Sequence, residues 1–415
     1  MNPHLGRKLR YGMVGGGPGA FIGAVHRMAA ALDGEWELVA GAFASQPGRS
    51  REQGRALGLD TRRVYGSFPE MAEAEAALGE DRRIEAVSIV TPNHLHRPVA
   101  LAFLERGIHV VCDKPMTRSV AGAEALCREV ERTGLTFALT HNYTGYPMVK
   151  EARHLVRTGR LGALRKVVAE YPQGWLSTRL EAEGHKQASW RQDPAQAGPA
   201  SALGDIGTHL DNLVRYVTGL EIEAVFAELA SLVPGRTMED DAGILVRFAG
   251  GARGVYHASQ VSAGEENGLA LRVYGERAGL VWRQEDPNVL ELLSPDAPRQ
   301  RLTRGSGYLC AAAGHATRLP PGHPEGFIEA FANIYRSAGR VIGARIAGAE
   351  PDPLDRDFPD HNDGLGGVRF IAGVLDASAR AGWVPLADVA VADGRAREPV
   401  PPAASIRDAA AGARQ

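Results

Sequence analysis

Through the first third of the chain, short apolar runs alternate with amphipathic stretches of about ten residues. The runs "LRYGMV", "WELVAGAF", "IEAVSIVTP", "IHVVCDKP" and "LTFALTHNY" are strand-like. Between them, "RPVALAFLERG" and "SVAGAEALCREVERTG" carry apolar residues at helical spacing and close on Gly107 and Gly134, a residue type suited to the left-handed turn that ends a helix. Strands separated by helices of this length form βαβ units and a parallel sheet. The pattern therefore predicts an α/β chain that opens with a doubly wound Rossmann domain over residues 1–142.

Near residue 145 the pattern changes. "PMVKEARHLVRTG" keeps a helical period, but "LRKVVAEYPQ", "EIEAVFAELASLV", "AGILVRFAGGARGVYHASQ" and "LALRVYGERAGLVW" follow as strand candidates with few helices between them. Gly250-Gly251 between two alternating runs predicts a hairpin and hence antiparallel pairing. The expectation is a C-terminal α+β domain over residues 143–388 with an open, largely antiparallel sheet, joined by a late helix in "GLGGVRFIAGVLDASARAGW". Residues 389–415 are rich in Ala, Arg and Pro, hold few large apolar side chains, and are expected to be disordered.

Composition narrows the classes of partner. The 415 residues are 44% hydrophobic and 23% charged, an ordinary globular balance. Lys plus Arg number 47 against 49 Asp plus Glu, so no basic footprint points to nucleic acid or an anionic membrane. No apolar run approaches the roughly 20 residues that span a bilayer. A small molecule is the expected partner. The cysteines Cys112, Cys127 and Cys310 are odd in number and lack C-x-x-C spacing, which argues against a disulfide framework and a zinc site and for a reducing cytoplasm. His94 and His96 resemble a metal pair only superficially, since no third ligand is near in sequence, and no metal is expected.

The loop "GGGPGAFIGAVHR" lies between a predicted strand and a predicted helix, the context in which a Gly-rich turn cradles a pyrophosphate at a helix N-terminus. Gly15 and Gly17 have the right spacing for the backbone to approach a phosphate, but the third position of the fingerprint is Ala20 and the next glycine is Gly23. The second strand ends in "ASQPGRS" without the carboxylate that usually holds an NAD ribose, and Ser45 and Arg49 are suited to a 2′-phosphate. NAD and NADP both stay open.

Hydride transfer to a nicotinamide held by such a loop needs, beside the cofactor, a proton acceptor and a cation that favours developing negative charge. Lys114, at the carboxyl end of a predicted strand, is the candidate cation, and the peptide before Pro115 is a candidate for a cis bond. In "SALGDIGTHLDNLVRYVTG", Leu203, Ile206, Leu210, Leu213 and Val217 form an apolar stripe that Gly219 stops. Asp205 and His209, four apart, share the face beside that stripe. A neutral His209 suits proton acceptance, and Asp205 is placed either to orient the imidazole or to pair with Lys114. Asn142 and Tyr143 follow the strand "LTFAL" where a substrate is expected. Lys186, Gln187, Trp190 and Arg191 in "HKQASWRQDP" form a donor-rich aromatic set suited to a sugar or polyol ring.

Four segments in order, the glycine loop ending in "GAVHR", "VSIVTPNHLH", "GIHVVCDKP" and "GDIGTH", resemble the glucose-fructose oxidoreductase / inositol dehydrogenase / MocA family, over roughly residues 9 to 385. Val25-His26 follows Gly23, so the resemblance makes Gly23 the third glycine, displaced by an insertion of about three residues that Pro18 stiffens. It implies a cofactor set of Thr91, Pro92, Asn93, His96, Asp113, Lys114 and Pro115, with Asp113 standing where the family usually has Glu. It also implies catalytic roles for Lys114, Asp205 and His209, and a homo-oligomer, dimer or tetramer, formed through the C-terminal sheet. The implied activity is NAD(P)-dependent hydride transfer from a secondary alcohol of a sugar, glycoside or inositol-type polyol. A nicotinoprotein with tightly held cofactor and a second carbonyl acceptor is one alternative. A non-catalytic cofactor-binding sensor is another, although such a protein is expected to lose Lys114, Asp205 or His209, and all three are present.

Overall fold

The computed structural model describes residues 1–389; of the tail expected over 389–415, all but the first residue lies outside them. The amino-terminal part runs β1 (Leu9–Gly15), α1 (Phe21–Leu32), β2 (Trp36–Ala42), α2 (Pro47–Ala56), α3 (Phe68–Ala76), β3 (Ala86–Val90), α4 (His96–Leu104), β4 (His109–Cys112), α5 (Val120–Thr133) and β5 (Phe137–Leu139). The strands lie in the order β2-β1-β3-β4-β5 and every pairing is parallel. Each residue of β3, β4 and β5 is buried, which is why these segments read as unbroken apolar runs: helices cover both faces of the sheet. The chain winds outward in opposite directions from β1 and β3, and the carboxyl ends of those two strands open a crevice suited to a ligand.

The second part contains α6 (Pro147–Arg157), β6 (Leu164–Pro172), α7 (Lys186–Arg191), α8 (Pro194–Ala197), α9 (Thr208–Thr218), β7 (Ile222–Ala230), β8 (Asp241–Phe248), β9 (Arg253–Ser259), β10 (Ala270–Gly275), β11 (Gly279–Arg283), β12 (Val289–Leu293) and β13 (Gln300–Thr303). It ends with α10 (Ala311–His315), α11 (Phe327–Ile346), α12 (His361–Arg380) and β14 (Val384–Pro385). The nine strands are ordered β13-β12-β11-β10-β6-β9-β8-β7-β14, antiparallel except where β6 meets β9. Ala249, Gly250 and Gly251 turn the β8–β9 hairpin: the Gly251 N–H donates to the Phe248 carbonyl, and both glycines take the positive φ that a tight three-residue loop uses. Along β8, Ala242, Ile244, Val246 and Phe248 face the core while Gly243, Leu245 and Arg247 are exposed, so one face of the sheet packs and the other is open.

The late helix is α12, and it begins earlier than the apolar spacing implies because the Asp360 carboxylate caps it through the Asn362 and Asp363 N–H groups. Helix α11 is not among the elements the pattern singles out. It is buried on nearly every side, polar Asn333, Arg336 and Ser337 included, which erases the contrast that marks an amphipathic helix. It also crosses the expected boundary at residue 143: Phe331, Tyr335, Ala338 and Ile342 complete a core with Leu9, Tyr11, Met13, Val25 and Trp36 of the first domain. The segment 143–388 therefore returns a helix to the Rossmann sheet, and Trp36 fastens it by donating its indole N–H to the Tyr335 carbonyl at 3.0 Å. Among the described residues, no helix is long and apolar enough to cross a membrane.

Candidate active site

A cleft of about 1300 Å3 lies between the carboxyl ends of the parallel strands and the second domain. It exceeds the roughly 300–1000 Å3 usual for one small ligand and has room for a dinucleotide and a second molecule.

The glycine loop forms one wall. Gly15 has φ +89°, and a Cβ there would lie 2.6 Å from the Val90 carbonyl oxygen. Its missing side chain thus lets β1 and β3 run close together where the loop leaves the sheet. A Cβ on Gly17 would lie 2.7 Å from the Phe43 carbonyl oxygen. Gly23 sits in the first turn of α1, where a Cβ would fall 2.4 Å from Gly16 Cα. It is the residue that lets the helix lie directly on the loop, as the third glycine of the fingerprint does. Pro18, Gly19 and Ala20 line the cleft, and no side chain caps the helix that starts after Ala20. Its first N–H groups and positive dipole end suit an anion.

Thr91, Pro92 and Asn93 past β3, and Asp113, Lys114 and Pro115 past β4, border the same cleft, with the Lys114–Pro115 peptide cis. Asp113 ties two strand ends together, its Oδ1 accepting the Lys114 N–H at 2.9 Å and the Thr140 hydroxyl at 3.0 Å. Ser45 and Arg49 are exposed on the rim beyond β2. His96 departs from its expected place. It is fully buried behind the wall, Nδ1 at 2.7 Å from the Pro115 carbonyl and Nε2 at 2.9 Å from the Thr91 carbonyl, so it braces two cofactor-side turns without lining the cleft. Thr91 Oγ1 and Asn142 Nδ2 are buried without a hydrogen-bond partner, although both residues border the cleft. The cradle, the uncapped helix and these polar atoms fit a nicotinamide dinucleotide.

The other half of the cleft is built around α9. A π turn over Leu203–Gly207 precedes the helix, with the Thr208 N–H reaching back to the Leu203 carbonyl, a widening often found at functional sites. All five residues of the predicted apolar stripe are buried. Asp205 and His209 both border the cleft, but their polar atoms diverge. Asp205 Oδ1 accepts from Lys114 Nζ at 2.8 Å, and Oδ2 accepts from Arg191 Nε and Gln260 Nε2, both at 2.9 Å. Of the two roles open to Asp205, the structure shows the pairing with Lys114. Burial pushes its carboxyl up, but the Arg191 and Lys114 charges outweigh burial and hold it well below the usual carboxylate range. His209 turns Nδ1 toward Nδ1 of His141 at 3.4 Å. Burial, with Lys114 and His141 beside it, pushes the His209 imidazolium well below the ordinary histidine value.

Tyr143 meets His209 edge-on, and its hydroxyl bonds that of Tyr171. The Tyr171 hydroxyl donates to Asn267 Oδ1 at 2.7 Å, and Gln173 Nε2 donates to the same oxygen at 2.9 Å. Trp190 and Arg191 line the cleft as expected, with the guanidinium 4.4 Å from the Trp190 ring centroid and 5.7 Å from that of Trp175. Gln187 Oε1 accepts from Trp190 Nε1 and Arg191 Nη1, both at 3.0 Å, and Lys186 is exposed at the rim.

Several residues carry no motif of their own. Gln260 and Gln173 reach the site from the ends of β9 and β6. Glu239, pushed up to about 7 by burial, accepts the Ser201 and Leu203 N–H groups at the start of the helical segment that carries Asp205 and His209. Buried Arg236 holds the loop before α7 by donating to the Leu176 and Thr178 carbonyls and to Glu181. His141 stands beside Asn142 in "THNYTGYP", and its place at the carboxyl end of a parallel strand is the signal that could have found it.

Residues 9–141 match the family model described as an oxidoreductase family with an NAD-binding Rossmann fold, and residues 149–281 match the GFO/IDH/MocA C-terminal domain. An uncharacterised oxidoreductase of Bacillus subtilis (strain 168) is 34% identical over 387 residues, 92% of this chain and 97% of that protein. The crystal structure of an oxidoreductase from Sinorhizobium meliloti superposes with a TM-score of 0.83 at 46% identity, covering 91% of this chain and 99% of that one. An inositol dehydrogenase homologue from Azotobacter vinelandii, solved with NADH and myo-inositol, gives a TM-score of 0.85 at 36% identity, covering 92% and 98%.

Proposed function

The chain belongs to the GFO/IDH/MocA family of NAD-binding oxidoreductases, and from that premise we propose that it oxidises a secondary alcohol of a sugar, glycoside or inositol-type polyol. One observation carries the reading: Lys114, Asp205 and His209 converge in the cleft that also holds the glycine cradle. Bound nicotinamide supplies the hydride acceptor. The Lys114 ammonium, held by Asp205, favours negative charge on the reacting oxygen, while Arg191 and Gln260 keep Asp205 itself in place. His209 is neutral near neutral pH because its pKa lies below the ordinary value, so its ring can take the hydroxyl proton. Tyr143, Gln173 and Gln187 offer polar atoms to the remaining hydroxyls, and Trp175 and Trp190 offer aromatic faces to ring C–H groups. The myo-inositol bound by the Azotobacter relative supports a cyclic polyol as the substrate class.

NAD is the cofactor of the family's Rossmann domain. Because β2 ends without a carboxylate, NADP is accepted as well, with Ser45 and Arg49 on its 2′-phosphate. The open face of the nine-stranded sheet is the surface through which a dimer or tetramer assembles, and the three free cysteines suit the reducing cytoplasm. A screen of inositols, aldoses and glycosides with NAD and with NADP, read by absorbance of the reduced nicotinamide, tests the activity. Reduction that depends on a cyclic polyol is expected. Cofactor binding without reduction on any member of the panel would overturn the proposal.

A further inference from the structure

In a side-chain relay built on histidine, a second group fixes which ring nitrogen carries the proton. Asp205 does not do this, because its oxygens are taken by Lys114, Arg191 and Gln260. The nitrogen opposite His209 belongs to His141. That residue is 1% exposed, stands at the end of β5, and does not border the cleft, whereas His209 does. The His141 backbone is fixed by a short turn in which its carbonyl accepts the Thr144 hydroxyl at 2.9 Å. The two rings lie nearly perpendicular, at 85°, with centroids 5.2 Å apart. Around the pair stand the Lys114 ammonium, the Asp205 carboxylate, Arg215 of α9, and the rings of Tyr143 and Tyr171.

Two nitrogens that face each other at 3.4 Å hold one proton between them. With two, the N–H groups collide; with none, two lone pairs are opposed and buried, which is costly. The proton has two possible owners. If His141 carries it, the neutral His209 ring has its hydrogen on Nε2 and cannot accept another at the cleft. If His209 carries it, Nε2 has a free lone pair. When that lone pair takes a proton, the Nδ1–H···Nδ1 contact to His141 stays as it was. Only the second arrangement lets His209 cycle between base and acid with no exchange inside the pair.

We propose that His141 is a positioning residue that accepts the Nδ1–H of His209, holding the imidazole in the tautomer whose Nε2 faces the substrate hydroxyl. The assignment rests on the reading of His209 as the proton acceptor. In the oxidation, the substrate O–H bond breaks and its proton passes to Nε2. The carbon-bound hydrogen leaves with its electron pair to oxidised nicotinamide, and a carbonyl remains.

The test compares His141→Phe, which keeps a ring but has no acceptor, with His141→Asn, whose side-chain oxygen can accept the same proton. Each is assayed for kcat, KM and cofactor affinity. In parallel, nitrogen NMR of histidine-labelled holoenzyme reads the tautomer of His209. His141→Phe is expected to lower kcat by roughly 100-fold, the low end of what general-base catalysis contributes, with KM and cofactor affinity little changed. His141→Asn is expected to restore most of the loss, and the wild-type spectrum to place the His209 proton on Nδ1. Full kcat in His141→Phe, an Asn variant no better than the Phe variant, or a proton on Nε2 in the wild type would each overturn the assignment. A wild type that turns over no polyol defeats the functional reading instead, and the spectrum still decides the tautomer. Should the Phe variant fail to fold, the Asn variant and the wild-type spectrum decide it.

Discussion

The two halves of the cleft are made differently. On the cofactor side the wall is mostly backbone: a glycine loop, an uncapped helix end and two strand ends, each contained in a few consecutive residues. On the side proposed for the substrate the wall is mostly side chains, gathered from α7, the π turn and helix of α9, the end of β5 and the ends of β6 and β9. A backbone cradle depends on local conformation, which short motifs fix. A side-chain cluster depends on where distant elements come to rest. The first kind of site tolerates change around its glycines but not at them, and the second fails one hydrogen bond at a time.

On the proposed mechanism, the largest effect is expected at Lys114. Lys114→Ala removes the cation and leaves Asp205 with Arg191 and Gln260 alone; kcat should fall at least about 100-fold, close to 3 kcal/mol of transition-state stabilisation. Steady-state kinetics at saturating polyol measure this, and a loss below about 5-fold would remove Lys114 from the reacting groups.

On the cofactor side, Gly23→Val forces a side chain against the Gly16 backbone, and overpacking of this kind costs about 1–3 kcal/mol. Cofactor affinity should drop roughly 10- to 100-fold by calorimetric titration, while Ala20→Gly stays within about 3-fold. If Ala20 proves the more sensitive position, the third glycine of the loop has been misplaced.

Glu239 gives the substrate side a footing that depends on pH. Its folded pKa, raised to about 7, lies above the ordinary glutamate value, so the folded state holds this proton more tightly than the unfolded chain does. Its contribution to stability is full below the unfolded value and is lost as pH rises through about 7. Glu239→Gln, which cannot ionise, should raise stability near pH 8, by up to about 3 kcal/mol, and leave it unchanged near pH 4, as read by denaturant melts. An equal gain at both pH values would show that ionisation is not the cause.

The smallest effect belongs to Arg49. It is exposed, and an exposed charge pair contributes about 0–1 kcal/mol, so Arg49→Ala should weaken NADP by no more than about 5-fold and leave NAD unaffected. Equal weakening of both cofactors would place Arg49 on a part of the dinucleotide they share.

The parallel sheet was legible because strands buried on both faces read as continuous apolar runs, and the hairpin because two glycines must turn it. Helix α11 was not legible, since burial all round leaves no polar face, and so the return of the chain to the first domain stayed hidden. In the cleft, the glycine loop and the spacing of Asp205 and His209 were readable from contiguous sequence. The choice between the two roles of Asp205 was not. It was decided by Arg191 and Gln260, residues 14 and 55 positions away. His96 shows the converse limit: its place in a recognisable motif is plain, but whether its ring lines the cleft or braces the turns behind it is decided by tertiary packing.

The division between a half that holds and a half that reacts is tested most directly by His209→Ala, with NAD affinity and polyol turnover measured on the same preparation. Affinity within about 3-fold of wild type together with turnover lowered at least about 100-fold is the predicted result. Turnover near the wild-type rate, or a loss of NAD binding that accounts for the whole loss of rate, would contradict it.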